Sequence, residues 1–155
     1  MRLEKEAGKR AMINTGSILA ALGLLMSLTI PLAAAGRRPA PLRDGENLLV
    51  IWTSADREVA LNMVYMYVFN AKKRGWWKNV RFLIWGPSAR LLAEDAELGK
   101  QLSEMKQAGV ELLACKACSD GYGVSEKLAE MGVEVKYMGV PLSEMLKAGW
   151  TTLSF

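Results

Sequence analysis

The sequence predicts an α/β fold: three layers, a mostly parallel five-stranded sheet with helices on both faces, preceded by a separate hydrophobic segment. Three observations lead there. Short apolar runs of strand length recur through residues 47–155, and amphipathic stretches of helical length alternate with them. That alternation is the pattern of a layered α/β domain with a largely parallel sheet. The first of the runs is also continuously apolar, as expected of a strand covered on both faces.

The elements follow in order. "NLLVIWT" (47–53) is the first strand. In "SADREVALNMVYMYVFNAKKRG", Ser54 or Asp56 suits the N-cap, and Lys72, Lys73 and Arg74 occupy the last turn before Gly75. Cations there complement the negative end of a helix. Met63, Tyr67 and Asn70 share one side of this helix, and Ala60, Val64 and Val68 another. Both sides read mostly as core packing rather than as a methionine-lined cofactor box. "NVRFLIW" (79–85) is a second strand, broken by Gly86 and Pro87, and Ser88 is placed to cap "SARLLAED". "ELGKQLSEMKQAG" is a further amphipathic helix that stops at Gly109, and "VELLAC" (110–115) is the third strand. "VSEKLAEMG" is a short helix, "VEVKYMG" a fourth strand, "PLSEMLKAG" a helix with Pro141 at its start, and "WTTLSF" a last strand. No internal repeat is evident.

Residues 1–36 stand apart. A charged "MRLEKEAGKR" precedes a run from Ala11 to Gly36 without a charged residue, ending near Ala33-Ala34-Ala35. A basic start, an apolar run and small residues at its end resemble a secretory signal. At roughly 25 residues the run is also long enough to span a bilayer as a helix. Pro31 suits a cleavage region better than mid-span, whereas Arg37 and Arg38 beyond it favour the cytoplasmic side. The expectation is a signal peptide or membrane anchor over 1–36, with membrane attachment through 11–35. A Pro-rich linker over 37–46 and a folded domain over 47–155 follow. The protein is then exported, periplasmic or anchored to the cytoplasmic membrane, with a cytoplasmic location as the alternative.

Composition narrows the chemistry. The chain has 155 residues, about half of them apolar (51%), a net charge of +4, two cysteines and no histidine. One domain with a real core fits this length, and disulfides are not needed to fold it. Lys and Arg are spread along the chain without an aromatic-laced basic stripe, which argues against nucleic-acid binding. The absence of histidine removes Ser-His-Asp and Cys-His catalysis and histidine metal sites together. Chemistry must run on thiols, carboxylates, amines, hydroxyls or backbone groups.

Ligands of open α/β sheets bind beyond the carboxyl ends of the strands. Those ends carry Thr53-Ser54, Trp85-Gly86-Pro87-Ser88, Cys115-Lys116-Ala117-Cys118 and Gly139-Val140-Pro141. Helix N-termini at that edge favour anions and lower a thiol pKa, and Lys116 beside Cys115 adds a positive charge. Cys115 and Cys118 have several readings. Inert burial is the plain one, more for Cys118 than for Cys115, which ends a strand. The pair supplies half of a zinc site, and no metal is expected unless subunits share one. A thioredoxin-type redox pair should open a helix directly, whereas Ser119-Asp120-Gly121-Tyr122-Gly123 reads as loop. "CSDGYGVS" also lacks the G-x-G-x-x-G nucleotide pattern, and no cofactor is expected.

"WTS", "FNAKKRGWW", "WGPSARLL", "AGVELLACKACSDGYGVSEKL", "GVEVKYMGVPLSEMLKAGW" and the closing "LSF" together resemble the DsrE family (DsrE/DsrF-like) of small α/β proteins linked to sulfur relay. The resemblance runs from about Leu48 to Phe155, with "WGPS" and "ACKAC" its most specific parts. It implies a homo-oligomer, a trimer or hexamer, and a cysteine after a central strand that carries a persulfide in the sulfur-relay branch. The family pattern C-x₇-G-V falls on Cys115, Gly123 and Val124, so Cys115 takes the relay position and Cys118 lies outside it. Sulfur-relay members are cytoplasmic, and the export-like leader departs from that.

The expected function is therefore a sulfur carrier or sulfurtransferase-like protein, exchanging sulfur with a donor or acceptor protein. Cys115 forms the persulfide and Cys118 resolves it. Ser54, Trp85, Gly86, Pro87, Ser88, Lys116, Asp120 and Tyr122 are the expected pocket. A non-enzymatic oligomeric binding module and a dithiol redox protein using Cys115 and Cys118 are the alternatives, and whether the protein is an enzyme stays open.

Overall fold

All five expected strands lie in one sheet, and every neighbouring pair in it is parallel. The computed structural model describes residues 46–155, so the expected leader and nearly all of the expected linker lie outside the described residues. Among the described residues no helix is long and apolar enough to cross a membrane.

The chain runs β1 (Asn47–Trp52), α1 (Arg57–Val59), a π-helical segment (Ala60–Tyr65), α2 (Met66–Lys73) and β2 (Asn79–Ile84). Then come α3 (Pro87–Glu94), α4 (Ala96–Gln107), β3 (Glu111–Cys115), α5 (Lys116–Gly121) and α6 (Ser125–Glu130). β4 (Glu134–Lys136), α7 (Gly139–Lys147) and β5 (Thr151–Ser154) complete it.

The strand order is β4-β3-β2-β1-β5. Strands β1 to β4 step outward one neighbour at a time. Right-handed crossovers in one direction place the connecting helices on one face. The last connection must return across the sheet to reach β5, and its helix falls on the other face.

Side chains alternate accordingly. Leu48, Val50, Trp52, Val80, Phe82, Ile84, Leu112 and Ala114 enter a large core with residues from α2, α3, α4, α6 and the π segment. Leu49, Leu83, Leu113 and Cys115 enter a smaller core closed by Met138, Met145 and Leu142 of the α7 region. In the larger core, Trp52 stacks on Phe82 at 5.9 Å between ring centroids, and Tyr65 meets both edge-on at 5.5 and 5.7 Å.

Three local expectations are corrected. The helix after β1 is not α throughout, because Ala60–Tyr65 is π-helical. The wider turn lets the neighbours Val64 and Tyr65 both face the core. Ala60, Val64 and Val68 are buried as expected, but Met63 on the other side is 51% exposed. The start is capped by Asp56, whose carboxylate accepts from the Glu58 and Val59 N–H groups at 2.8 and 3.1 Å.

Ser88 does not cap α3, which begins at Gly86 and Pro87. Its fully buried hydroxyl instead donates to the Trp52 carbonyl at 2.6 Å and accepts from the Trp85 N–H at 3.2 Å, tying the end of β1 to the end of β2. Finally, the stretch after Cys118 is not a loop, since α5 starts at Lys116 directly after Cys115.

Ser88→Ala removes the hydroxyl's bonds, while the Trp85 N–H keeps its own bond to the Trp52 carbonyl at 2.9 Å. It should lower the unfolding free energy by roughly 0.5–1.5 kcal/mol, read from urea denaturation. An unchanged midpoint would show that the tie is dispensable.

Candidate functional site

β3 ends at Cys115, which is also the N-cap of α5 (φ −74°, ψ 110°) and makes no side-chain capping bond. Cys118 is therefore the third residue of that helix. N-cap and N3 side chains lie beside one another, the relation that a capping box uses. Both cysteines are free thiols, Cys115 buried (5% exposed) and Cys118 half-buried. From the sequence, inert burial is a minority reading, weighted more toward Cys118 than Cys115. Strand parity decides otherwise, because Cys115 follows Leu113 into the smaller core while Cys118 lies at its margin with Trp85.

Both thiols belong to the smaller core, with Cys118 packed against the cluster that contains Cys115. Gly86, the N-cap of α3, has φ 73° and ψ −136°, a conformation that favours glycine. Burial pushes the Cys118 thiol pKa up, the bond with Cys115 adds to the rise, and the Gly86 N–H opposes it. The expected lowering by a helix start thus does not win at Cys118, because desolvation penalises the thiolate more than one N–H favours it.

The remaining expected residues divide. Trp85, Gly86 and Pro87 lie at the turn from β2 to α3, and Trp85 packs against the cluster that holds both cysteines. Lys116 sends its ammonium to both Asp120 oxygens at 2.9 and 2.8 Å, and Asp120 also accepts from Ser125 at 2.5 Å. Those bonds raise the Lys116 pKa and lower that of Asp120, so the lysine charge is spent on a carboxylate. Lys116, Asp120 and Ser125 line a separate cavity of about 430 Å³. Tyr122 caps the end of α5 under the Arg90 guanidinium, 5.5 Å from its ring centroid. Ser54 accepts from the Asp56 N–H at 3.0 Å and serves the helix start. Among the described residues no group of three or more His, Cys, Asp or Glu is placed to hold a metal.

Two contributors were missed. Ser119 is fully buried and donates to the Cys115 carbonyl at 3.0 Å, fixing the strand-to-helix joint. A serine four residues after a strand end is a signal for such back-bonding once the helix is recognised. Met138 and Met145, brought over by the return connection, wall the smaller core beside Cys115.

The DsrE/DsrF-like family model matches residues 54–155. A conserved protein of unknown function from Bacteroides thetaiotaomicron is similar at 38% identity and TM-score 0.69, covering 71% of this chain and 95% of its own. The ychN protein from E. coli is similar in fold, at 18% identity and TM-score 0.56 over 71% of this chain and 99% of its own. A protein of unknown function from Methanobacterium thermoautotrophicum matches at 23% identity and TM-score 0.56, covering 70% and 99%. The comparison with curated proteins found no match.

The raised thiol pKa sets a pH dependence. Cys118 alkylation, followed by peptide mass spectrometry, should reach half its maximal rate above the free-thiol pKa of about 8.5. Cys115→Ala removes one cause of the rise and should move that midpoint down. An identical midpoint in both proteins would contradict the coupling.

Proposed function

The chain belongs to the DsrE/DsrF-like family, and from that premise we propose that it is a thiol sulfur carrier of the sulfur-relay kind, with Cys115 as the persulfide-forming residue and Cys118 as its partner. The observation that carries this reading is the placement of two free thiols in one cluster, at the cap and in the first turn of the helix that follows an interior strand. In the overall reaction the outer sulfur of a donor persulfide R–S–SH passes to the Cys115 thiolate, and R–S⁻ leaves. Cys115 then bears the –S–SH group. That outer sulfur later passes to an acceptor thiolate, and Cys115 is left as thiolate. Alternatively, Cys118 attacks the inner sulfur, expels HS⁻ and closes a disulfide that an external dithiol reopens.

A second reading, a dithiol redox protein, is favoured by one observation: the C-x-x-C pair does open a helix, with Cys115 at the cap. Its signature is a Cys115–Cys118 disulfide that forms and reopens in glutathione buffers without any sulfur adduct. The sulfur-carrier reading also includes a homo-oligomer and an exported or anchored domain. Light scattering of the purified protein and sequencing of its mature N-terminus check those two points.

The decisive measurement is intact-protein and peptide mass spectrometry of the folded protein after incubation with glutathione persulfide. One added sulfur on Cys115, removed by dithiothreitol, is expected. A folded protein that takes up no sulfur sinks the proposal.

A further inference from the structure

The sulfur-carrier reading, on which this inference rests, leaves open how sulfur reaches a thiol that is only 5% exposed. Cys115 is packed with Leu49, Leu83, Leu113, Met138 and Met145. A donor persulfide must bring its outer sulfur in line with the attacking thiolate, and that approach requires room on the solvent side. Cys118 has this room, because it lies half-buried at the edge of the same cluster, one helical turn from Cys115.

We propose that Cys118 is the port through which sulfur enters and leaves, and that Cys115 is the store to which it is passed. In the first step the Cys118 thiolate attacks the outer sulfur of an organic persulfide, R–S–SH. The bond to R–S breaks and R–S⁻ leaves with the electron pair. In the second step the Cys115 thiolate attacks the outer sulfur of Cys118–S–SH. A new bond forms at Cys115, and Cys118 leaves as thiolate. No net oxidation occurs, and no further reactant is needed.

The surroundings suit each thiol to its part. The Gly86 N–H faces the Cys118 sulfur and supports the negative charge that appears there when it departs. The apolar wall around Cys115 keeps water and stray oxidants from a stored persulfide, whose outer sulfur is readily oxidised. The N-cap and N3 positions hold the two sulfurs side by side on a fixed helical turn, so the hand-over is intramolecular. Sulfur leaves by the reverse path, with an acceptor thiolate attacking the sulfur on Cys118.

The test loads the full-length protein with glutathione persulfide, quenches at short times and locates the added sulfur by peptide mass spectrometry. In the wild type the label should appear first on Cys118 and then accumulate on Cys115. In C118S, loading of Cys115 should slow about tenfold or more, equivalent to about 1.4 kcal/mol in the barrier. C115S should still load at Cys118 and lose its sulfur quickly to added thiol. C118A, with near-UV circular dichroism of both variants, guards against a folding defect.

Loading of Cys115 at an undiminished rate in folded C118S or C118A would overturn the port while leaving the carrier reading intact. So would the absence of any label on Cys118 in folded C115S. A wild type that takes up no sulfur on either cysteine would instead remove the carrier reading itself.

Discussion

Strand β3 is paired with β2 from Arg81↔Glu111 to Ile84↔Ala114, and the parity of that pairing decides which face receives Cys115. A slip by one residue would send every side chain of β3 to the opposite face. Cys115 would then lie under the large helical layer, away from Trp85 and the α7 residues. The register is held because both faces are buried along Leu112, Leu113 and Ala114, so neither tolerates the other's side chains. Toward the start of β3, on the face shared by Leu113 and Cys115, charge takes over. Arg81 pairs with Glu111 at 2.7 Å and lies over the Trp150 ring at 4.4 Å. With Glu134 and Lys136 they border a cavity of about 410 Å³. The smaller core is therefore apolar at the thiol end of the strands and polar at the other.

What lies behind that edge is stiff. Trp52, Tyr65 and Phe82 form a three-ring cluster directly behind the end of β1, where aromatic contacts add about 0.5–1.5 kcal/mol per pair beyond burial. The cluster carries a cost, since the Trp52 indole N–H and the Tyr65 hydroxyl have no hydrogen-bond partner among the described residues. Each such group costs roughly 1–3 kcal/mol. The π-helical segment helps explain why the cost is tolerated, because it brings Tyr65 inward beside Val64 and fills the space under the sheet. Ser88 then fastens the ends of β1 and β2 together, and Ser119 does the same for the joint after β3. The Gly86 turn and the start of α5 are thus set against one another by fixed elements rather than by the thiols themselves.

Most of the fold was legible, because strand and helix periods differ and the chain alternates them cleanly. Every strand and the parallel sheet follow from apolar runs such as residues 47–52 and 79–84 and from the helices between them. The π segment was not legible, since Ala60–Tyr65 has the same residue types as an α-helix and the distinction lies in tertiary packing. Helix α5 was missed because Gly121 and Gly123 argued for a loop, yet the glycines come at the end of a short helix, where they suit its termination. The site was half legible. Strand ends placed Cys115 and Gly86 at one edge, but the ion pair that diverts Lys116 to Asp120 depends on the helix that had not been recognised. The deeper burial of Cys115 follows from strand parity, which sends it with Leu113 into the smaller core.

A protein without histidine has no ready base near neutral pH, so its thiols depend on their own ionisation and on local donors. Here the partly buried Cys118 thiol is held largely protonated, and Gly86 supplies the backbone N–H that faces it. For attack on a small, highly activated sulfur this is not a large handicap. Thiol nucleophilicity rises with pKa, and the loss in thiolate fraction is partly recovered in intrinsic reactivity. For departure the balance changes, because a high-pKa thiolate is a poor leaving group unless it is stabilised where it forms. In the proposed relay the Gly86 N–H serves that step, and Cys115, in the same cluster, is the second nucleophile. The spacing of two residues between the cysteines thus has a mechanical reason. It sets one sulfur at the cap and one in the first turn of α5, so that a group on either lies within reach of the other without backbone movement.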